Sequence, residues 1–137
     1  MEWIKKIPEL NLKAANKYSQ YGEEIIIDFI FKNINTKNMF FVDIGAGGAG
    51  RNLSNTKALI EAGWKGLLFD ADGKDENVIN VFIKPENIIE TLEWQNCRTG
   101  FDFLSIDIDS FDYDVLDKVL PTYFPRVVCA EFNGTLD

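Results

Sequence analysis

The sequence predicts an α/β fold built on a parallel sheet, and three observations carry that prediction. Apolar runs at 39–44, 66–70, 101–108 and 126–132 read as strands buried on both faces. Segments with helical periodicity separate most of them, and such alternation builds a parallel sheet with its sites at the carboxyl ends of the strands. Two of the runs, FFVDIGAGGAG at 40–50 and GLLFDAD at 66–72, end in an acid, and the first opens into a glycine-rich turn.

Taken in order, residues 9–20 carry weak helical signals, and 23–33 reads as a strongly apolar helix with Ile25, Ile26, Ile27, Phe29, Ile30 and Phe31, lying against the sheet. A turn through 35–38 leads to the first strand, 39–44. Ser54 stands where an N-cap is wanted, before a short helix that Gly63 can end as a left-handed cap. The second strand follows at 66–70. Pro85 and Glu86 open a helix with Ile88, Ile89 and Leu92 inward, and 101–108 forms the next strand. Ser110 caps a helix carrying Asp112 and Asp114 in its first turn and Val115, Leu116, Val119 and Leu120 on its inner face, with Pro121 as its stop. The last strand is 126–132.

Residues 78–83 have strand composition but fit the alternation poorly. Only 73–77 separate them from Asp72, whereas a parallel crossover usually takes a dozen residues or more. Returning along a six-residue strand needs roughly 20 Å, and five extended residues reach about 17 Å. The segment is therefore antiparallel to the second strand or, the favoured reading, a displaced edge strand reached by a bare loop.

At 137 residues and 46% hydrophobic content, the chain suffices for one domain over 1–137, with 1–38 as an N-terminal helical segment packed on the sheet. The net charge is −8 with no cluster of lysine or arginine, which argues against a nucleic-acid partner. No apolar run reaches the roughly 20 residues of a membrane span, and the first ten residues lack the apolar core of a signal peptide, so a soluble, cytoplasmic protein is expected. Cys97 and Cys129 lie in separate segments and are expected to be reduced. The chain has no histidine, which removes histidine bases, histidine-dependent nucleophiles and histidine-rich zinc sites together.

The glycines at 45, 47 and 50 satisfy the dinucleotide pattern G-x-G-x-x-G, a weak signal by itself. Residues 51–53 still intervene before Ser54, a longer turn than a pyrophosphate clamp at a helix start requires. Asp43 discriminates better: a carboxylate repels a phosphate and attracts the ammonium and sulfonium of S-adenosylmethionine. The plainer role for Asp43 is to cap the loop. Asp70 is placed to hold ribose hydroxyls.

These residues also resemble a known family. Tyr18 to Glu24 (YSQYGEE), VDIGAG at 42–47, SNT at 54–56, GWKGLLFDAD at 63–72, PENI at 85–88, FDFLSIDID at 101–109 and PRVVCAEFN at 125–133 resemble, in order, the FkbM-type methyltransferases. The resemblance implies a class I, Rossmann-like parallel sheet with flanking helices, S-adenosylmethionine as methyl donor, and transfer to a hydroxyl of a saccharide or small molecule. It implies that Asp43, Gly45, Ala46 and Gly47 line the methionine side, that Asp70 and Ala71 meet the ribose, and that Asp107 faces the methyl. Gln20 and Glu23 would reach the same pocket, unless they only start the helix. The expected fold is a shortened one, lacking the helix after the second strand and the C-terminal antiparallel hairpin. Ser110 replaces the family's usual glycine.

Asp107 and Asp109 end the fourth strand expected in the sheet, and Glu131 and Asn133 the fifth. Strand alternation sets each pair on one face. The four can together hold Mg²⁺, lowering the pKa of an acceptor hydroxyl, or Asp107 or Asp109 can serve directly as the base. Structural roles, with Glu131 paired to Arg126 or Arg51, are the remaining option. Trp64 and Trp94 read as core or interface residues, and Tyr113 as packed under its helix. The alternative function is a non-catalytic binding or assembly domain on the same fold. An uncovered last strand makes a homodimer plausible.

Overall fold

The computed structural model describes residues 1–12, 17–19, 21–47, 54–72, 76–108 and 111–130. Helix α1, Glu23–Ile34, has Glu23 and Glu24 in its first turn and Lys32 in its last, the arrangement that complements the helix dipole. Strand β1, Phe40–Ile44, lies at the centre of the sheet. Helix α2, Lys57–Glu61, follows, and the chain turns at Gly63 with φ of +95° into β2, Lys65–Asp70. Strand β3 is only Ile79–Asn80, and α3 is Ile88–Trp94. Strand β4, Phe103–Ile106, helix α4, Asp112–Tyr123, and strand β5, Val127–Ala130, complete the order.

The five strands are parallel and ordered β3-β2-β1-β4-β5. Along β1, Asp43 stands opposite Leu68 of β2 and Ser105 of β4, and Ser105 stands opposite Cys129 of β5. Alternation splits the core in two. Val42, Ile44, Phe69, Leu104 and Ile106 pack with Ile88 and Leu92 of α3 and Val115, Val119 and Tyr123 of α4. Phe41, Leu68 and Phe103 pack with Ile27 and Phe31 of α1 and with Trp64. Burying each of the large side chains Phe41, Phe69, Phe101 and Phe103 contributes on the order of 2–3 kcal/mol.

Segment 78–83 resolves as the favoured edge strand. Ile79 pairs with Phe69 and Asn80 with Asp70, both at the carboxyl end of β2. The short loop succeeds because the chain returns past only two residues instead of the whole strand. Among the described residues, no helix lies between β2 and β3.

Some of these expectations need correction. Pro121 lies inside α4, which runs on to Tyr123. Without the proline N–H the last turn is still held, because Thr122 Oγ1 donates to the Lys118 carbonyl and Phe124 N–H to that of Leu120. The N-terminal ordered element is a 3₁₀ helix over Glu2–Glu9, ahead of the region with helical signals, and 13–16 and Gln20 lie outside the described residues. Arg126 pairs with Asp102, at 2.6 Å, and Glu131, the partner expected for it, lies outside the described residues.

Trp64 is buried, whereas Trp94 and Tyr113 are exposed, so Tyr113 does not pack beneath its helix. Both cysteines are free. No helix among the described residues is long and apolar enough to cross a membrane.

Candidate functional site

The order of the sheet reverses between β1 and β4, and ligands of open parallel sheets bind outside the strand ends at such a switch point. A cavity of about 290 Å³ opens there, lined by Gly45 after β1, Phe69 to Asp72 at the end of β2, Val81 to Ile83 after β3, and Asp107, Ile108 and Phe111 after β4. Of the residues expected at a site, Gly45, Asp70, Ala71 and Asp107 meet in this cavity although they come from three separate stretches of sequence.

The first turn is built by backbone chemistry. Gly45 and Ala46 both donate their N–H groups to the Phe69 carbonyl, at 2.8 and 2.9 Å. Gly45 has φ of +86°, and a Cβ there would overlap the backbone carbonyl of Asp107. Only glycine lets the ends of β1 and β4 approach this closely. The Asp107 N–H donates to the Ile44 carbonyl at 2.8 Å, joining the same two ends. Gly47, with φ of +85°, donates its N–H to Asp70 Oδ2 at 2.9 Å, while Asp70 Oδ1 accepts the Asp72 N–H at 2.8 Å. Asp70 thereby spans the turns after β1 and β2.

Asp43 and Ala46 lie deeper. Asp43 is 4% exposed and Ala46 3%, and neither lines the cavity with Gly45. Asp43 Oδ2 accepts a hydrogen bond of 2.6 Å from Thr56 Oγ1 at the start of α2. The N-cap of α2 is Thr56 rather than the expected Ser54, which stands two residues earlier and whose Oγ accepts the N–H groups of Thr56 and Lys57. The neighbouring Asn55 reaches Ser105 Oγ at 3.4 Å and Cys129 Sγ at 3.6 Å. Burial pushes the Cys129 thiol up to about 11, and the carboxylates of Glu23, Asp43 and Asp107 push the same way.

The start of α1 has its own fastening. Glu24 Oε1 accepts the N–H groups of Lys17, Tyr18 and Ser19, and Ser19 Oγ accepts the Glu24 N–H. Burial alone would raise the Glu24 carboxyl, but those N–H groups outweigh it and hold it below its usual range. Glu23 Oε2 accepts the Tyr21 N–H, a helix-start contact. Tyr18 links this strap to α2 through its carbonyl, which accepts the Ser54 N–H at 2.7 Å, and through its hydroxyl, which bonds Glu61.

Asp109, Glu131 and Asn133, the other members of the expected carboxylate and metal cluster, lie outside the described residues, as does Ser110. Among the described residues no group of three or more His, Cys, Asp or Glu side chains could hold a metal ion. Sequence reasoning did not pick out Val81, Phe82, Ile83 and Phe111. Their signal was present as apolar residues in segments too short to be full strands, with Phe82 57% and Phe111 38% exposed at the cavity. A second space of about 440 Å³ lies between α1 and α2, bordered by Ile27, Phe31, Leu59 and Trp64.

The cavity is lined by the apolar residues Phe69, Val81, Phe82, Ile83, Ile108 and Phe111 together with Asp70, Asp72 and Asp107, with no lysine or arginine among its described lining residues. Such a lining suits a flat base and a polyhydroxylated ring and disfavours a diphosphate. Comparison with protein-family models, with curated proteins and with solved structures gave no match.

Proposed function

We propose that this chain is an S-adenosylmethionine-dependent methyltransferase of the FkbM type, with a class I, Rossmann-like fold, acting on a hydroxyl of a saccharide or small molecule. The observation that carries this reading is the meeting of Gly45, Asp70, Ala71 and Asp107 in one cavity at the switch point of the sheet. At about 290 Å³ the cavity is at the low end of ligand pockets and matches the nucleoside part of such a donor.

Asp70 accepts hydrogen bonds from the ribose hydroxyls, and Val81, Phe82, Ile83 and Phe111 hold the base. Bound S-adenosylmethionine supplies an electrophilic methyl group. Asp107, at the rim of the same cavity, would take the proton of the acceptor hydroxyl. The remaining work of the protein is alignment of acceptor oxygen, carbon and sulfur. Asp109, Glu131 and Asn133 are the further carboxylate-edge residues proposed to assist, either as base or around Mg²⁺.

Calorimetric titration with S-adenosylmethionine and S-adenosylhomocysteine, with and without Mg²⁺, tests this. Saturable binding that Asp70→Ala abolishes is the expected result. Folded protein that binds neither ligand would overturn the reading. Binding without methyl transfer to any member of a broad acceptor pool would assign the chain to the non-catalytic alternative.

A further inference from the structure

Part of the cavity wall lies beyond the sheet ladder. Strand β3 ends at Asn80 and the Val81 N–H still reaches the Asp70 carbonyl at 3.2 Å, but Phe82 to Lys84 have no strand geometry, although Phe82 and Ile83 both line the cavity. The side chain of Asn87 ties this stretch of backbone instead. Its Oδ1 accepts the Lys84 N–H at 2.8 Å and its Nδ2 donates to the Phe82 carbonyl at 2.8 Å. One of these partners needs an acceptor and the other a donor, and a side-chain amide supplies both from one planar group.

The turn that brings Asn87 there is built without its side chain. The Lys84 carbonyl accepts the N–H groups of Asn87 and Ile88, each at 3.1 Å, and Pro85 occupies the position of such a turn that its fixed φ favours. Ile83 and Ile88 are buried in the same core cluster, so both ends of the turn are anchored. The Phe82 ring is different: it is 57% exposed, with Lys84 Nζ 5.9 Å from its centroid. Packing does little to fix such a ring, and the backbone at 82 decides where it stands.

We infer that Asn87 is a positioning residue for the base end of the ligand: by bonding the backbone on both sides of Ile83, it sets where the Phe82 ring meets the base. Asn87 does not line the cavity, and Ile83 is held by the core, so the effect of Asn87 on the ligand passes through Phe82. The inference rests on the cofactor reading above and adds to it a residue outside the cavity that shapes its apolar wall.

Calorimetric titration with S-adenosylhomocysteine, which carries no net charge, separates this role from a structural one when wild type, Asn87→Ala, Phe82→Leu and the double variant are compared. Phe82→Leu removes the ring and keeps an apolar side chain, so that binding stays measurable. Asn87→Ala is expected to weaken binding roughly tenfold in the wild-type background, the upper worth of an aromatic contact. In the Phe82→Leu background the same change should cost less than about twofold, because residues that act through one another are not additive. The Lys84 amide, freed of its acceptor, should exchange its hydrogen faster in Asn87→Ala than in wild type.

If Asn87→Ala does not fold, Asn87→Asp, which keeps the acceptor for Lys84 and loses only the donor to Phe82, takes its place with the same expectation for binding. Weakening of equal size in both backgrounds would make Asn87 a residue of the fold alone, and no weakening in either would give it no part in recognition. Each of those results overturns the inference while leaving the cofactor reading intact. Wild-type protein that binds no S-adenosylhomocysteine overturns both.

Discussion

At the amino-terminal end of the sheet, Asp102 is fully buried and takes hydrogen bonds from the N–H groups of Lys37, Asn38 and Met39 and from Arg126 Nη1. At the carboxyl end, Asp70 and Asp107 border a cavity, and Asp70 is held by the N–H groups of a glycine and a turn aspartate. The first end joins α1, β1, β4 and β5, for Arg126 also donates to the carbonyls of Asn35 and Ile34 at the end of α1. A carboxylate that answers to four donors within the protein makes a frame. Carboxylates at strand ends beside open space can answer to something else, and the contrast separates acids that hold the fold from acids available for chemistry.

The sharpest way to break the comparison is to remove the framing acid. Asp102→Ala leaves the Arg126 guanidinium, only 19% exposed, beside three backbone N–H groups that lose their acceptor. Deleting one partner of a buried pair costs about 3–5 kcal/mol, a large share of a typical domain's stability. Chemical denaturation should show either that loss or a chain that no longer folds. A loss below about 1 kcal/mol, the worth of an exposed pair, would remove the distinction between the two ends.

Gly45→Ala tests the carboxyl end by geometry rather than charge. The added methyl must occupy a left-handed conformation and overlap the Asp107 carbonyl. Left-handed backbone costs about 1–2 kcal/mol for a residue with a Cβ, and overpacking adds about 1–3 kcal/mol. The expected destabilisation, roughly 2–5 kcal/mol, should come with loss of ligand binding, because β1 and β4 can then no longer close on one another.

Acid should loosen the frame as well. Burial alone would raise the Asp102 carboxyl, but Arg126 and the N–H groups of Met39, Asn38 and Lys37 outweigh it and hold it below its usual range. Glu24 is lowered likewise by the N–H groups of its strap, against its own burial. A carboxyl depressed in the folded state contributes stability that is fully present above the unfolded pKa, about 4 for Asp and Glu, and lost as pH falls through the folded value. Melting temperature should therefore be flat near neutrality and drop below about pH 4. Asp102→Asn should show a shallower acid drop than wild type, and an equal drop would locate the sensitivity elsewhere.

How far the sequence discloses each end follows from the range of the interactions. Gly45, Asp70 and Asp107 are visible because they stand where apolar runs stop, and a parallel sheet gathers such ends by topology alone. Asp102 is not visible: it sits inside an apolar run, and its partners lie 24 residues away in one direction and 63 to 65 in the other. No local pattern marks such a pair. The helix at Asp112–Tyr123 shows the converse failure, since Pro121 is a strong local stop signal that a side-chain hydrogen bond from Thr122 and the packing of Tyr123 override. Phe82 was hidden because it follows a two-residue β3 with no readable period, and Phe111 because it stands as a single aromatic at the start of α4.

Asp70→Ala, the variant that should abolish ligand binding, is expected to leave the fold nearly untouched. It removes two hydrogen bonds, but the Asp72 N–H lies in an exposed turn and the Gly47 N–H is only partly covered. Both donors can regain water, so neither incurs the penalty of a buried unsatisfied group, and the loss should stay within about 1 kcal/mol. Denaturation of this variant beside Asp102→Ala compares two aspartates of the same sheet that differ in which end they occupy. Near-wild-type stability with no ligand binding would make Asp70 an acid kept for its ligand. A loss approaching that of Asp102→Ala would mean that the turns after β1 and β2 depend on this carboxylate, and that the carboxyl end is a frame in its own right.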